Sequence, residues 1–228
     1  MLTYEIDIAG LKRELPVCKV NDELSIGAFV IFGDVELTVH CASELLKIAP
    51  EYDYLIAPEA KAIPLLYEMA RQSGANRYFL ARKKAKAYMT SVFEVKVQSI
   101  TTDGVQTLVL DKEDAEAICG KRMLILDDVI STGESLRAME ELVRQAGGII
   151  AGRMAVLAEG DAKNRTDIQF LAPLPLFHSD GTPIDQPVRP ALHSGSAVAA
   201  EATSRPTSKT NARRIVRIPY LTPCRTRP

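Results

Sequence analysis

Short apolar runs that have the length of buried strands alternate with longer segments of helical period over most of the chain. The predicted strands, in chain order, are AFVIF, VELTVH, YLIA, RYFLAR, RMLILDD, IIAGRMAVLAE and IQFLAP. The predicted helices are CASELLKIA, which Pro50 ends, IPLLYEMARQSG, which has Gly74 at its carboxyl end, and ESLRAMEELVRQAGG. Strands that alternate with helices predict an α/β domain with a doubly wound, mostly parallel sheet and helices on both faces.

Two further patterns concern a hairpin and the end of the domain. SVFEVKVQSI and VQTLVLD alternate polar and apolar residues on either side of TTDG, which predicts a β-hairpin. Near Phe177 the composition changes, and the following sequence is rich in Pro, Ser, Thr and Arg without sustained periodicity. We therefore expect residues 1–185 to form the folded domain and residues 186–228 to be a disordered or non-native tail.

Composition narrows the classes of function. The formal net charge of −1 draws the chain neither to nucleic acid nor to anionic membranes, so any anion site must be local. The four cysteines include no CxxC pair and the three histidines are scattered, so a zinc cluster is not expected. No signal peptide and no apolar run long enough to cross a bilayer is visible, which predicts a cytoplasmic protein.

One predicted strand ends in chemistry that a core strand does not need. The apolar run from Met123 leads directly into Asp127 and Asp128, and a small-residue loop, Ser131 to Ser135, leads into the last predicted helix. In open parallel sheets, ligands bind beyond the carboxyl ends of the strands, and a helix N-terminus favours an anion. The carboxylates suit sugar hydroxyls or hydrated Mg²⁺, and the loop suits a phosphate. A sugar phosphate presents both groups at once.

Common phosphate-binding motifs do not fit this stretch. A Walker loop ends in Gly-Lys-Ser/Thr, and a dinucleotide fingerprint has GxGxxG after the strand; neither is present here. The structural alternative is a strand–turn–helix junction whose Asp and Ser residues only cap the helix. That alternative suits a lone Asp pair better than a long apolar strand followed by DDxxSTGxS.

LILDDVISTGES resembles the PRPP-binding motif of the type I phosphoribosyltransferases, in the branch that uses adenine or xanthine. LIAPEAKAIPL (55–65) resembles the pyrophosphate loop of the family, with Lys61 and Ala62 where Arg and Gly are usual. FLARKKAKAYM (79–89) resembles the segment before the flexible loop of the family, and LAPLPLF (171–177) resembles its carboxyl-terminal strand. The chain departs from the motif at Glu134, where many members carry Gly or another small residue.

The resemblance implies a type I phosphoribosyltransferase-like fold with a small N-terminal hood. It also implies transfer of a 5-phosphoribosyl group from PRPP to a purine nitrogen, with release of pyrophosphate. It assigns the ribose hydroxyls and, indirectly, Mg²⁺ to Asp127 and Asp128. It assigns the 5′-phosphate to Ser131, Thr132, Gly133, Glu134 and Ser135. It assigns the pyrophosphate to Glu59, Ala60, Lys61, Arg82, Lys83, Lys84 and Lys86.

The base is specified less closely. Ile26, Phe29 and Leu80 are candidate apolar contacts, and an ordinary core position is the alternative for each. Adenine is favoured because sites for 6-oxopurines often use a Lys, and the lysines of the basic cluster are already assigned to phosphate. Xanthine or guanine is the alternative substrate.

The resemblance also implies a homodimer, with the basic cluster reaching pyrophosphate across the interface. A PRPP-sensing regulator that binds DNA is the rival from another class of protein. Such regulators usually append a winged-helix segment, and only about 25 residues precede the first predicted strand pair. This favours the enzyme.

Truncation after Asp185 should leave the melting temperature and the affinity for PRPP nearly unchanged. The reason is that a segment without periodic apolar residues buries little area on folding. Differential scanning calorimetry of the two chain lengths measures this. A fall of several degrees would show that the tail packs on the domain.

Overall fold

The computed structural model describes residues 2–89, 91–98 and 105–184, all within one compact unit, Met1–Arg189. The predicted tail (186–228) and the predicted turn TTDG lie outside the described residues, so these two expectations stay predictions. In the described part of the chain, no helix has the length and apolar character needed to cross a membrane.

The elements follow one another in a mixed order of strands and helices. In chain order they are β1 (Thr3–Ile8), β2 (Leu11–Lys19), β3 (Leu24–Gly27), α1 (Val35–Ile48), β4 (Tyr54–Pro58), α2 (Ile63–Ser73), β5 (Phe79–Ala81), β6 (Val92–Gln98), β7 (Val105–Asp111), α3 (Lys112–Ile118), β8 (Arg122–Ile130), α4 (Glu134–Gln145), β9 (Ile149–Glu159), β10 (Gln169–Leu174) and β11 (Leu176–His178). A 3₁₀ turn, Gly160–Asn164, joins β9 to the segment before β10.

A five-stranded parallel sheet forms the centre of the domain, with the order β10-β9-β8-β4-β5. Strand β8 lies in the middle. Its side chains alternate, so that Leu124 and Leu126 belong to one hydrophobic cluster while Met123 and Ile125 belong to another. A strand that is apolar on both faces requires a cover on each side.

Helices supply both covers. Buried side chains of α1 and α2 share one cluster with Leu124 and Leu126, whereas α3, α4 and the hairpin β6–β7 share the other. The predicted apolar face of the last helix is confirmed, because the side chains of Leu136, Met139 and Leu142 are buried there. The doubly wound α/β prediction is therefore confirmed.

The predicted strand VELTVH is wrong, because Val35–Ile48 is one continuous helix. Asp34 caps it by accepting a hydrogen bond from the Leu37 backbone N–H at 3.0 Å. Leu37, Cys41 and Leu45 are buried at helical spacing. The alternation of apolar and polar residues at its start suggested a strand, but the helical period of the whole segment prevails.

The predicted strand AFVIF is also wrong. Phe29 and Ile31 are buried while Val30 and Phe32 are exposed, so the pattern has the period of a strand. The segment nevertheless pairs with no strand in the described part of the chain. Its alternation reflects an extended segment over the core instead of a sheet.

A small antiparallel sheet with the order β1-β2-β3-β11 forms the hood that the resemblance implied. The first strand pair therefore starts at Thr3, not after about 25 residues as the sequence suggested. Helix α3 was also missed. The hood contacts α1 through Arg13, whose guanidinium binds Asp34 at 2.6 and 3.1 Å.

Asp34→Ala should lower the free energy of unfolding by about 1–2 kcal/mol, because it removes the helix cap and the partner of Arg13. Hydrogen bonding by Arg13 holds the pKa of Asp34 below its usual value. A lowered folded pKa stabilises the protein above the unfolded pKa, and this contribution is lost as pH falls through the folded pKa. Urea unfolding at pH 7 and pH 3 measures both effects.

The matched control is Asp34→Asn, which keeps a capping oxygen but removes the charge. It should lose less stability than Asp34→Ala at pH 7. An Asp34→Ala variant as stable as the wild type at pH 7 would contradict the assigned role.

Candidate active site

Two adjacent carboxylates are buried in the carboxyl-terminal half of β8, which continues beyond them to Ile130. Asp127 and Asp128 have relative exposures of only 9% and 6%. The Asp128 backbone N–H donates to Asp127 Oδ1 at 2.9 Å, which fixes the first carboxylate against the chain. Burial, reinforced by the charge of Asp128, raises the pKa of Asp127, and the positive charge of Lys61 opposes the shift. Their burial makes this pair a natural partner for a cation.

The loop between β4 and α2 places a lysine above this pair. Lys61 Nζ lies 3.6 Å from Asp128 Oδ2, and the lysine side chain is 54% exposed. Asp128 Oδ2 is buried and has no hydrogen-bond partner among the described residues. One exposed ammonium group therefore compensates the acidic pair only in part, which fits a site that receives additional positive charge.

The small-residue loop joins the same strand to α4. Ser131 and Thr132 are exposed, and Gly133 has a φ of 77°, which favours glycine. Helix α4 begins at the next residue, so its free backbone N–H groups point toward the loop. The predicted 5′-phosphate residues are thus brought beside the acidic pair, as the order of strand, loop and helix requires.

The basic segment after β5 is held by Glu59. Arg82 Nη1 donates to Glu59 Oε1 at 3.0 Å, the Lys83 backbone N–H donates to Oε2 at 3.3 Å, and Lys86 Nζ lies 3.5 Å from Oε1. Lys83 and Lys84 expose their side chains. Burial raises the pKa of Glu59, but these hydrogen bonds and charges outweigh burial and lower the pKa below its usual value. The carboxylate of Glu59 therefore binds cations, whereas Ala60 lies exposed beside it.

The three candidate base contacts lie in different environments. Phe29 is buried in the hydrophobic core, and Leu80 packs half-buried against the same cluster. Ile26 is half-buried on β3, opposite Leu176 of β11. The structure gives Phe29 little surface for a ligand and leaves Ile26 and Leu80 as partly exposed candidates.

Two charged residues near the site were missed from the sequence. Glu159 ends β9 half-buried, and burial raises its pKa while Lys61 opposes the shift. A carboxylate directly after an apolar strand is the same signal that identified Asp127, so Glu159 could have been found. Arg165 lies against Gly133, with Nη1 2.5 Å from the position that a Cβ of Gly133 would occupy. No local pattern marks this contact between distant segments.

In the described part of the chain, no group of three or more His, Cys, Asp or Glu side chains could hold a metal ion. The adjacent pair Asp127–Asp128 is therefore the candidate set of carboxylate ligands, because Glu159 at the end of β9 does not complete a group of three with it. Mg²⁺ suits such a pair, because it is commonly bound by one or two carboxylates together with water and phosphate oxygens.

Comparison with known proteins supports a relationship at this site. Residues 40–170 match the profile of the phosphoribosyl transferase domain. The orotate phosphoribosyltransferase of Thermoanaerobacter sp. (strain X514) is 26% identical over 127 residues, which cover 56% of this chain and 55% of that protein. The adenine phosphoribosyltransferase of Kosmotoga olearia is 29% identical over 124 residues, which cover 51% of this chain and 66% of that protein.

The fold resembles that of a solved phosphoribosyltransferase structure. Adenine phosphoribosyltransferase from Thermoanaerobacter pseudethanolicus superposes with a TM-score of 0.52 at 21% identity, covering 63% of this chain and 84% of that one. The present chain spans about half the length of the orotate phosphoribosyltransferases that it matches. These likenesses concern the domain, and the strand–loop–helix unit around Asp127 lies within the matched residues.

Asp127→Asn should increase the free energy of unfolding at pH 8, measured by urea denaturation in EDTA. Because the folded pKa of Asp127 lies above the unfolded value, its stabilising contribution is complete below about pH 4 and is lost as pH rises through the folded pKa. The amide keeps an oxygen for the Asp128 N–H and carries no charge. The gain should be on the order of 1 kcal/mol or more.

Asp53→Asn is the matched control, because hydrogen bonds from Arg122 hold the pKa of Asp53 below its usual value. This variant should lose stability at pH 8. An Asp127→Asn protein that is no more stable than the wild type at pH 8 would show that the buried charge has little cost.

Proposed function

Because the chain belongs to the phosphoribosyl transferase domain family, we propose that it transfers a 5-phosphoribosyl group from PRPP to a ring nitrogen of a nucleobase. Pyrophosphate is the second product. The observation that carries the proposal is the buried pair Asp127–Asp128, with an ammonium group and a small-residue loop beside it. PRPP offers the matching groups: vicinal hydroxyls and two anionic ends.

The acidic pair acts on the ribose. As the bond from C1′ to the pyrophosphate oxygen breaks, the sugar gains cationic character, and nearby carboxylates stabilise it. Asp127 and Asp128 bind the 2′- and 3′-hydroxyls, either by accepting hydrogen bonds from them or, when Mg²⁺ is bound, through the ion. Mg²⁺, when bound there, would neutralise charge on the pyrophosphate oxygens. Asp128 Oδ2 has no hydrogen-bond partner among the described residues and faces only the half-exposed Lys61, and the pKa of Asp127 is raised; both observations support a cation at this place.

The basic groups act on the leaving group. Lys61 extends from the acidic pair toward solvent, and Lys83 and Lys84 are exposed on the neighbouring segment. Arg82 and Lys86 form ion pairs with Glu59. The pyrophosphate group of PRPP replaces Glu59 as their anionic partner when it binds. The lysine at position 61 supplies charge without the bidentate geometry of an arginine. Glu59 thus keeps the segment beside the loop and limits repulsion among its cations.

The 5′-phosphate binds at the loop Ser131–Ser135 and the N-terminus of α4. The hydroxyls of Ser131, Thr132 and Ser135 and the backbone N–H groups donate to phosphate oxygens, and the helix dipole favours the anion. Glu134 contributes its backbone there, since its carboxylate would repel a phosphate.

Adenine is the favoured base. Lys96, which could have donated to a 6-oxo group, is 62% exposed and forms an ion pair with Glu94 at 2.8 Å. This supports a base site without a lysine, although guanine or xanthine remains the purine alternative. Ile26 and Leu80 are the apolar contacts that we retain, because Phe29 is buried in the core. The family resemblance also supports a homodimer, which sedimentation equilibrium tests. The cytoplasmic location stays a prediction from the sequence.

Orotate is the second candidate substrate, because several related sequences are orotate phosphoribosyltransferases. Orotate carries a carboxylate, so its site must supply a positive partner. Adenine is neutral and has an exocyclic donor. The two substrates therefore demand opposite polarity at the base site.

The deciding experiment measures kcat/KM for adenine, guanine, hypoxanthine, xanthine and orotate with saturating PRPP and Mg²⁺. We expect adenine to be used best and the others to be strongly rejected, because a mismatched base leaves polar groups unpaired. Orotate or a 6-oxopurine winning by about tenfold or more would overturn adenine specificity and keep the transferase. PRPP binding without use of any base would favour the regulator.

Asp127→Asn should reduce turnover with the best base by about tenfold or more, since a neutral amide stabilises a cationic sugar less well. Circular dichroism should show an intact fold. Asp53→Asn, at the opposite edge of the sheet, is the control and should keep nearly full turnover. Near-normal rates for Asp127→Asn would remove the acidic pair from the mechanism.

A further inference from the structure

Arg165 approaches the small-residue loop from the segment that follows the 3₁₀ turn Gly160–Asn164. Its Nη1 atom lies 2.5 Å from the position that a Cβ of Gly133 would occupy. Gly10 and Gly33 also have positive φ angles, but no atom lies within 4 Å of their Cβ positions. At Gly133, therefore, the absence of a side chain permits both the positive φ angle and the close approach of the Arg165 guanidinium.

Asp167 holds the guanidinium in this orientation. Arg165 Nε donates to Asp167 Oδ1 at 2.9 Å, and Nη2 donates to Oδ2 at 2.7 Å. This parallel pair occupies one edge of the planar group. The third nitrogen, Nη1, is the one that lies against the loop. Arg165 is also half-buried, which strengthens its interaction with an anion.

The charge of the loop itself is unfavourable for a phosphate. Glu134 is the one ionisable side chain among residues 131–135, and it is acidic. Backbone N–H groups and the hydroxyls of Ser131, Thr132 and Ser135 carry no formal charge, so they supply none to balance a phosphate dianion. The guanidinium of Arg165 lies beside the centre of the loop and supplies positive charge there, which it shares with Asp167.

We propose that Arg165 binds the 5′-phosphate through Nη1 and that Asp167 is its positioning residue. The inference rests on the proposed function, because it takes the loop as the site of the 5′-phosphate. It adds a phosphate ligand from the far side of β9, outside the strand–loop–helix motif. It also explains why Gly133 cannot carry a side chain without moving the guanidinium.

The test compares two fragments of PRPP. Ribose 5-phosphate carries the 5′-phosphate, and pyrophosphate does not. Isothermal titration calorimetry with Mg²⁺ measures both affinities for the full chain, which has no Trp for a fluorescence assay. Arg165→Gln should weaken ribose 5-phosphate by about tenfold or more and leave pyrophosphate unchanged. Arg165→Lys, which keeps the charge, should recover part of the loss, and Asp167→Asn should show a smaller loss of the same kind.

Arg122→Gln is the matched control, because Arg122 is also held by an aspartate, Asp53, but lies at the amino end of β8. It should leave both affinities unchanged. Equal binding of ribose 5-phosphate by wild type and Arg165→Gln would overturn the inference and leave the proposed function intact. The inference would also be overturned if Arg165→Gln and Arg165→Lys both weakened ribose 5-phosphate and pyrophosphate binding to the same extent. That result would show that the substitutions disturb the structure of the site and do not remove a phosphate ligand. A wild-type chain that binds neither ligand would overturn the proposed function and the inference with it.

Discussion

The burial of two like charges at the end of one strand is the constraint on which the site depends. On folding, the carboxylates of Asp127 and Asp128 lose most of their contact with water and do not gain a full set of hydrogen-bond partners. The charge of Asp128 raises the pKa of Asp127 further than burial alone does. Such a pair is unfavourable for folding. The strand that carries it is packed on both faces, and this apolar packing offsets the cost.

Several cations near the site are held by carboxylates of the same chain, whereas Lys83 and Lys84 expose their side chains. Lys61 lies beside Asp128, Arg82 and Lys86 bind Glu59, and Arg165 binds Asp167. These pairs differ in what they can release. Nη1 of Arg165 lies against the loop while Asp167 binds the other two nitrogens. Arg82 instead binds Glu59, so an incoming anion must compete with Glu59 for its guanidinium. A site of this kind recognises an anionic ligand by exchange of partners, which limits the net electrostatic gain and favours selectivity.

The parts of the site that the sequence could predict are those encoded in one contiguous stretch. The apolar run of β8, the acidic pair and Gly133 stand next to one another, so strand, loop and helix followed directly. The hood was harder, because β1 and β2 carry charged residues on their exposed face and show only short apolar runs. Helix α1 was half missed, because VELTVH also has the period of a strand.

No pattern in the amino-acid sequence predicts the contacts between distant segments. The contact of Arg165 with Gly133 depends on how β9 aligns with β8. The hydrogen bond between Arg82 and Glu59 depends on how β5 aligns with β4. Residue types alone do not specify such register. Glu159 is the exception, because a carboxylate follows an apolar run there as it does at Asp127.

The most direct test of the central claim is the shift in Tm that PRPP with Mg²⁺ causes in wild type and in Asp127→Asn/Asp128→Asn. At a concentration 100-fold above its Kd, a ligand stabilises by about 2.7 kcal/mol, which corresponds to roughly 5–10 °C for a domain of this size. We expect the wild type to show this shift. The double variant should melt higher than the wild type without ligand and gain little from it. Equal shifts in both proteins would show that the acidic pair does not bind the ligand.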